Sequence, residues 1–310
     1  MKVLILGGDG FVGTNVKNVL VEKGFQCFIT SRKTGVDLRN LEEVVSLYKK
    51  IQPTVIVNCA AHVGSLNYVT QHAADVALDN TKMILAIYEG LVIAEINPLI
   101  INPIANCAYP AKADTFIEDN WWDGHLHRSV LSYGSTRRTL WTVSECFNMQ
   151  YQIRTISLLV PNMYGEHDSC DPNKAHALNA LISKFVKAER IDQKRLEIWG
   201  SGVAIREWLY ARDFGRIVAS IINDPYMIGL DEPLNIAQNF GLSVKELVRL
   251  IQRSFHFTGE IFWDTNMPDG APKKVMDDRK FKKVFPNFEF TDFESGIKTT
   301  IEYYNNQFPY

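Results

Sequence analysis

The stretch MKVLILGGDGFVG, residues 1–13, constrains the fold of this chain more than any other. An apolar run over 2–6 ends in a turn with Gly7, Gly10 and Gly13, and Phe11 and Val12 open a helical pattern. A turn this tight needs glycine for positive φ, and a backbone without a Cβ lets a pyrophosphate come close. The helix start adds unpaired N–H groups and a partial positive charge. A strand, a glycine turn and a helix in this order read as a dinucleotide-binding turn.

The next 150 residues keep the same rhythm. Strands are predicted over 26–30, 54–59, 98–102 and 154–160, with helices over 11–23, 41–51, 72–90 and 133–150. The second helix opens with Asn40 and Glu43 in a capping pattern. Such alternation implies right-handed crossovers and a parallel sheet. Beyond 160 the pattern loosens to a strand over 196–200, a helix near 212–223 and another over 242–252 behind a Ser243–Glu246 box. The expected fold is α/β, a Rossmann doubly wound parallel sheet with a smaller mixed C-terminal region. Residues 1–165 would form the dinucleotide-binding domain, with segments returning from the second half, and 166–310 the substrate-binding region.

Composition narrows the partners. The chain has 310 residues, 46% apolar, with a net charge of −2, so neither nucleic acid nor a membrane surface is indicated. Its five cysteines are odd in number, widely spaced and lack a C-x-x-C pair, which suggests reduced thiols in a cytoplasmic compartment. The apolar start is shorter than the roughly 7–15 residues of a secretory h-region. The longest membrane candidate, 88–104, is broken by Glu89, Glu95 and Asn97. His125 and His127 read as loop residues, and no metal site is expected.

The second strand ends in TSRKTGVDL, which places Ser31, Arg32 and Lys33 at the adenosine ribose and brings no acid until Asp37, followed by Leu38. NAD sites favour an acid there and NADP sites favour cations, so NADP(H) is expected over a merely solvated basic turn. Tyr133 and Arg137, in LSYGSTRR, fall on one helical face. A tyrosine hydroxyl can protonate a developing alkoxide, and a neighbouring cation helps it near neutrality. Arginine gives a permanent charge but relays no protons, and Arg138 is an alternative cation.

Six ordered motifs resemble those of the extended short-chain dehydrogenases/reductases, and more narrowly of the GDP-L-fucose synthases, which epimerise and reduce a GDP-4-keto-6-deoxymannose. NCAAHVGSLNYV (58–69) is similar to the segment beside the nicotinamide ribose, implying contacts from Ala60, Ala61 and His62. NCAYP (106–110) resembles a cysteine-containing turn, and VPNMYGEHD (160–168) a substrate loop. NKAHALNALI (173–182) resembles a helix bearing a catalytic histidine, WGSGVAIREWLYARD (199–213) a stretch whose arginine–glutamate pair handles the diphosphate, and PDGAPKK (268–274) a lysine-bearing segment. The resemblance implies catalytic roles for Tyr133, Arg137, Cys107 and His176. It adds Asn80 and Pro161 to the cofactor site, and Asn106, Asn162, Lys184, Trp199, Arg206 and Lys274 to the substrate site. Cys107 and His176 match the epimerisation pair, although each alone also fits a packed interior residue. Trp199 could stack on the base or fill core.

Two departures fall on the reduction chemistry: Ala105 stands where the family has serine, and Arg137 where it has lysine. The expectation is an NADP(H)-dependent epimerase/reductase acting on a GDP-linked 4-keto sugar. The alternatives are a nucleotide-sugar 4-epimerase or oxidase with retained cofactor, and a catalytically impaired cofactor-binding protein. The resemblance also implies a homodimer formed through the helices near 72–90 and 133–150.

Overall fold

The computed structural model describes residues 1–310 apart from 172, 173, 230, 231, 256 and 268. Asn173 and Pro268, the first residues of two motifs, therefore lie outside the described residues. The first half runs β1 (Lys2–Leu6), α1 (Phe11–Glu22), β2 (Gln26–Thr30), α2 (Leu41–Ile51), β3 (Val55–Asn58), α3 (Leu66–Gln71), α4 (Ala73–Ile93), β4 (Leu99–Ala105), α5 (Leu131–Tyr151) and β5 (Thr155–Val160). Then come β6 (Asn162–Tyr164), α6 (Ala177–Arg190), β7 (Arg195–Trp199), β8 (Ile205–Tyr210), α7 (Ala211–Asn223) and β9 (Leu234–Asn235). The chain ends with β10 (Gly241–Ser243), α8 (Val244–Ser254), β11 (Glu260–Asp264), β12 (Lys273–Lys274), α9 (Arg279–Val284) and α10 (Phe293–Gln307).

Six parallel strands form the central sheet in the order β2-β1-β3-β4-β5-β9. Its strands are apolar on both faces because helices cover both. Val3, Ile5, Val55 and Val57 pack towards α1 and α7, whereas Leu4, Leu6 and Ile56 pack towards α2, α4 and α5. This is the doubly wound arrangement that the alternation predicts. Asn40 caps α2 by accepting from Glu42 N and Glu43 N, and Ser243 and Glu246 form the full reciprocal box on α8. Each such cap is worth about 1 kcal/mol.

β4 continues past the predicted end at 102 to Ala105, through Pro103. The last β3–β4 pair is Val57 with Ile101, so Pro103 lies beyond the stretch that β3 pairs. The extension carries the chain directly into the site.

The second half builds a smaller layer. β8 pairs antiparallel with β10 and parallel with β12 and β6, and β7 pairs with β11. A separate core, with Phe185, Trp208, Val248 and Ile297, joins α6, α8 and α10 to these strands. The chain also re-enters the first layer, with β9 pairing to β5 and α7 packing on α1.

Candidate active site

Two connected hollows open along the carboxyl ends of the central strands, where open α/β sheets place ligands. The first, of 280 Å³, is lined by the glycine turn and by the segments after β2 and β3. The second, of 540 Å³, lies between the two layers. Gly10, Cys59, Ala60 and Ala61 line both.

The glycine turn is packed to the limit. Gly7 has φ +72°, and a Cβ there would meet Ala60 Cα at 2.8 Å. A Cβ on Gly13 would lie 2.2 Å from Gly7 O. The start of α1 is thus pressed onto the turn, with Gly10, Phe11 and Val12 at the hollow's edge and Gly13 serving the packing.

At the far end of the first hollow, Ser31, Arg32, Lys33, Asp37 and Leu38 all line the wall, as the sequence predicts. Ser31 donates to Asp9 at 2.5 Å and caps the turn that follows. Asp37 does not face the hollow as a free acid. Arg39 grips both its oxygens, at 2.6–3.1 Å, and holds its carboxyl down at about 2. Arg39 also donates to Asp79 at 2.9 Å, and Asp79 meets His62 Nδ1 at 2.9 Å. Arg32 and Lys33 form no salt bridge among the described residues, so their charge is available to an anion. The hollow fits a dinucleotide carrying a phosphate on its adenosine ribose. Local patterning carries no sign of Arg39's role, because its partner Asp79 is forty residues away.

The second hollow gathers Ala105, Asn106, Cys107, Tyr133, Arg137, Pro161, Asn162, His176, Arg206 and Lys274. Tyr133 is in the first turn of α5. Its neighbour Gly134 allows the helix to approach the turn after β4 so closely that a Cβ would meet Cys107 O at 2.7 Å. Burial raises the Tyr133 hydroxyl, with Arg137 acting against it and Cys107 with it. Arg137 Cζ lies 4.9 Å from the Tyr133 ring centre, and its Nη2 donates to Asn80 Oδ1 at 3.1 Å. Asn80 is itself fixed by His62, taking its N–H at 3.0 Å and donating to its carbonyl at 2.8 Å. Arg138 is excluded as the alternative cation, since its guanidinium donates to the carbonyls of Ala108, Trp121 and Gly124.

Cys107 lines the floor of the hollow and is largely buried. Burial raises its thiol, while Lys274 and Arg137 pull the other way. Lys274 is lowered by its own burial. Arg206, lowered to about 10 by burial, donates to Asp269 O at 2.9 Å. Opposite them, Asp168 receives His176 N at 2.8 Å, His176 Nδ1 at 3.1 Å and Asn179 Nδ2 at 2.8 Å. Burial raises the Asp168 carboxyl, yet His176 and Asn179 outweigh it and hold the group below its usual range. Asp168 closes the VPNMYGEHD motif, but its link to His176 spans a loop that periodicity cannot read, so its role is visible only in the fold.

Three expectations are modified. His176 is the N-cap of α6 and not part of the helix. Glu207 does not join Arg206 at the diphosphate position, because alternation along β8 turns it into the core. There it accepts from Gln238 N at 2.6 Å and Met276 N at 2.7 Å. Lys184 and Trp199 lie beside each other but line neither hollow: Lys184 Nζ is 5.1 Å from the Trp199 ring and donates to Glu197 O.

The NAD dependent epimerase/dehydratase family matches residues 3–237. A GDP-L-fucose synthase of Azorhizobium caulinodans is 29% identical over 98% of this chain and 96% of its own length. A GDP-L-colitose synthase of Yersinia pseudotuberculosis is 26% identical over 99% of both. The crystal structure of a GDP-L-fucose synthetase from Naegleria fowleri bound to NADP superposes with a TM-score of 0.87, at 25% identity, covering 99% of this chain and 93% of that one.

Proposed function

The chain belongs to the NAD dependent epimerase/dehydratase family, and from that premise we propose that it is an NADP(H)-dependent enzyme that epimerises and reduces a GDP-linked 4-keto sugar. The observation that carries the reading is the convergence of Tyr133, Cys107, His176, Arg206 and Lys274 on one hollow continuous with a dinucleotide cleft.

Arg32 and Lys33 would meet the adenosine 2′-phosphate, and the start of α1 the pyrophosphate. His62, on the wall of the first hollow, and Asn80, buried behind it and bonded to Arg137, would support the cofactor on its nicotinamide-ribose side. When bound, NADPH supplies the hydride that reduction of the 4-keto group consumes. Tyr133, kept protonated by burial, gives its proton to the alkoxide oxygen. Arg137 offsets the charge that this leaves on the phenolate. Cys107 and His176 handle the proton on carbon next to the ketone, one removing it and the other returning one to the opposite face. Arg206 and Lys274 would hold the diphosphate, the first by its fork and the second as a point charge. Asn106 and Asn162 would bond sugar hydroxyls, and Lys184 and Trp199 would take the outer end of the nucleotide.

Ala105, at the end of β4, keeps a second reading open, in which reduction is lost and epimerisation or mere binding remains. One experiment separates them: GDP-4-keto-6-deoxymannose with NADPH in D₂O, followed by mass spectrometry and proton NMR. Deuterium uptake together with NADPH consumption supports the proposal. Uptake alone indicates an epimerase, and neither indicates an inert binding protein.

The functional unit is proposed to be a homodimer, because α4 and α5 pack together and expose Leu78, Leu85, Ile93 and Met149. No helix among the described residues is long and apolar enough to cross a membrane. The five cysteines are all unpaired, which suits the cytoplasm.

A further inference from the structure

We infer that His127 is a further substrate-binding residue, whose ring Nε2–H donates to a hydroxyl of the sugar in the second hollow. This inference rests on the proposed function, because it takes a GDP-linked sugar as the occupant.

His127 lies in the long connection between β4 and α5, just before the short turn Arg128–Val130 that leads into α5. Its backbone is pinned on both sides. His125 O accepts from Ala111 N at 2.9 Å, and Ser129 O accepts from Thr70 Oγ1, on α3, at 3.1 Å. At the start of α5, Ser132 Oγ donates to Val69 O at 3.1 Å. The segment is thus fastened to α3 and held at the edge of the hollow.

The ring is oriented by the chain that follows it. His127 Nδ1 meets Ser129 N at 3.3 Å and Ser129 Oγ at 2.7 Å. A backbone N–H can only donate, so Nδ1 holds a lone pair and the ring proton is on Nε2. The side chain therefore caps the turn with one nitrogen and offers a donor with the other. Nε2 has no hydrogen-bond partner among the described residues, and His127 lines the second hollow. The residues of α3 and of the turn that line it too, Leu66, Val69 and Val130, are apolar. Ser129 also lines the hollow, but its hydroxyl is engaged by Nδ1. Tyr133, in the first turn of α5, faces the same space, which sets His127 on the sugar side of the hollow. One oriented donor in an apolar wall selects an oxygen by position and disfavours a sugar that lacks it.

The test uses the full-length protein loaded with NADP⁺ and titrated with GDP-4-keto-6-deoxymannose and, separately, with GDP. Two variants divide the two nitrogens. His127→Asn puts its Oδ1 where Nδ1 stands, so it keeps the cap and has nothing at Nε2. It should bind the GDP-sugar roughly three- to tenfold more weakly, with GDP affinity and melting temperature unchanged. His127→Gln carries an N–H as far out as Nε2 but gives up the cap. It should keep more sugar affinity than His127→Asn while melting about 2 °C lower. Long-range ¹H–¹⁵N NMR gives an independent readout: the His127 signals, identified by their absence in His127→Asn, should show the ring proton on Nε2.

Wild-type sugar affinity in His127→Asn overturns the inference while the proposed function stands. So does an equal loss for GDP and the GDP-sugar, a loss of sugar affinity that follows the melting temperature across the two variants, or Nδ1–H in the wild-type spectrum. If wild type binds neither GDP nor the GDP-sugar, the proposed function fails and the inference falls with it.

Discussion

The Arg137 guanidinium carbon stands 4.9 Å from the centre of the Tyr133 ring while its Nη2 donates to Asn80 at 3.1 Å. One planar group thus places charge beside the phenol and ties α5 to α4. A lysine ammonium has no such fork.

Arg137→Lys is therefore expected to lower kcat for 4-keto reduction, roughly tenfold or more, although the resemblance of motifs leads one to expect lysine there. NADPH consumption followed by its absorbance checks this. An unchanged or faster lysine variant would mean that the guanidinium is only a tolerated substitute.

Tyr133→Phe removes one hydroxyl and leaves the ring that Arg137 faces. Reduction should fall by roughly 10²–10⁴-fold while affinity for the GDP-sugar hardly changes. Full reductase activity in this variant would place the catalytic acid on another residue.

Arg32→Ala should weaken NADPH binding by about tenfold or more, the value of one charge-assisted phosphate bond, and leave NADH binding nearly unchanged. Fluorescence titration with both nucleotides gives the answer. Equal losses would show that Arg32 does not read the 2′-phosphate.

Light scattering at micromolar concentration should give twice the 35.3 kDa chain mass. Because the two copies of a two-fold interface present the same patch, Leu85→Glu introduces its charge twice and should yield monomer. A monomeric wild type would sink the assembly.

Glu207 predicts a pH effect on stability. Burial raises it from the ordinary 4.5 to about 7, despite the backbone N–H groups of Gln238, Met276 and Asn239, which favour the ion. The folded state therefore keeps a proton that the unfolded chain has already released. The resulting stabilisation is fully present below pH 4.5 and is lost as pH rises through 7, by up to roughly 3 kcal/mol. The melting temperature of wild type should fall over about pH 5 to 8 more steeply than that of Glu207→Gln. Parallel curves would show that Glu207 ionises normally.

The sheet and the glycine turn are legible because they announce themselves locally, whereas most candidate site residues come only from the resemblance of whole motifs. Strands β1 and β3 are nearly continuous apolar runs, β4 and β5 are mostly apolar and β-branched, and the glycine turn has fixed spacing. β6, β9, β10 and β12 are too short, at two or three residues, to show any period. β8 was hidden because Arg206 and Glu207 interrupt its apolar run, one facing the hollow and the other the core. The roles of Arg39, Asp79 and Asp168 exist only through partners brought together by the fold. Cys107 and His176 are candidates by resemblance alone, since their local sequence pattern does not distinguish them from interior residues.

The return of β9 and α7 to the central sheet bears on how such a protein could change its substrate. A segment that begins in the second layer supplies an edge strand and a covering helix to the first, so neither layer is a cassette. Transplanting the second half from a relative would tear the hydrophobic face on which α1 rests, where Val16 and Leu20 meet Phe214 and Val218. A new specificity would then have to be built residue by residue around an unchanged frame, at positions such as Ala105 and Arg137 that line the second hollow without holding the two layers together.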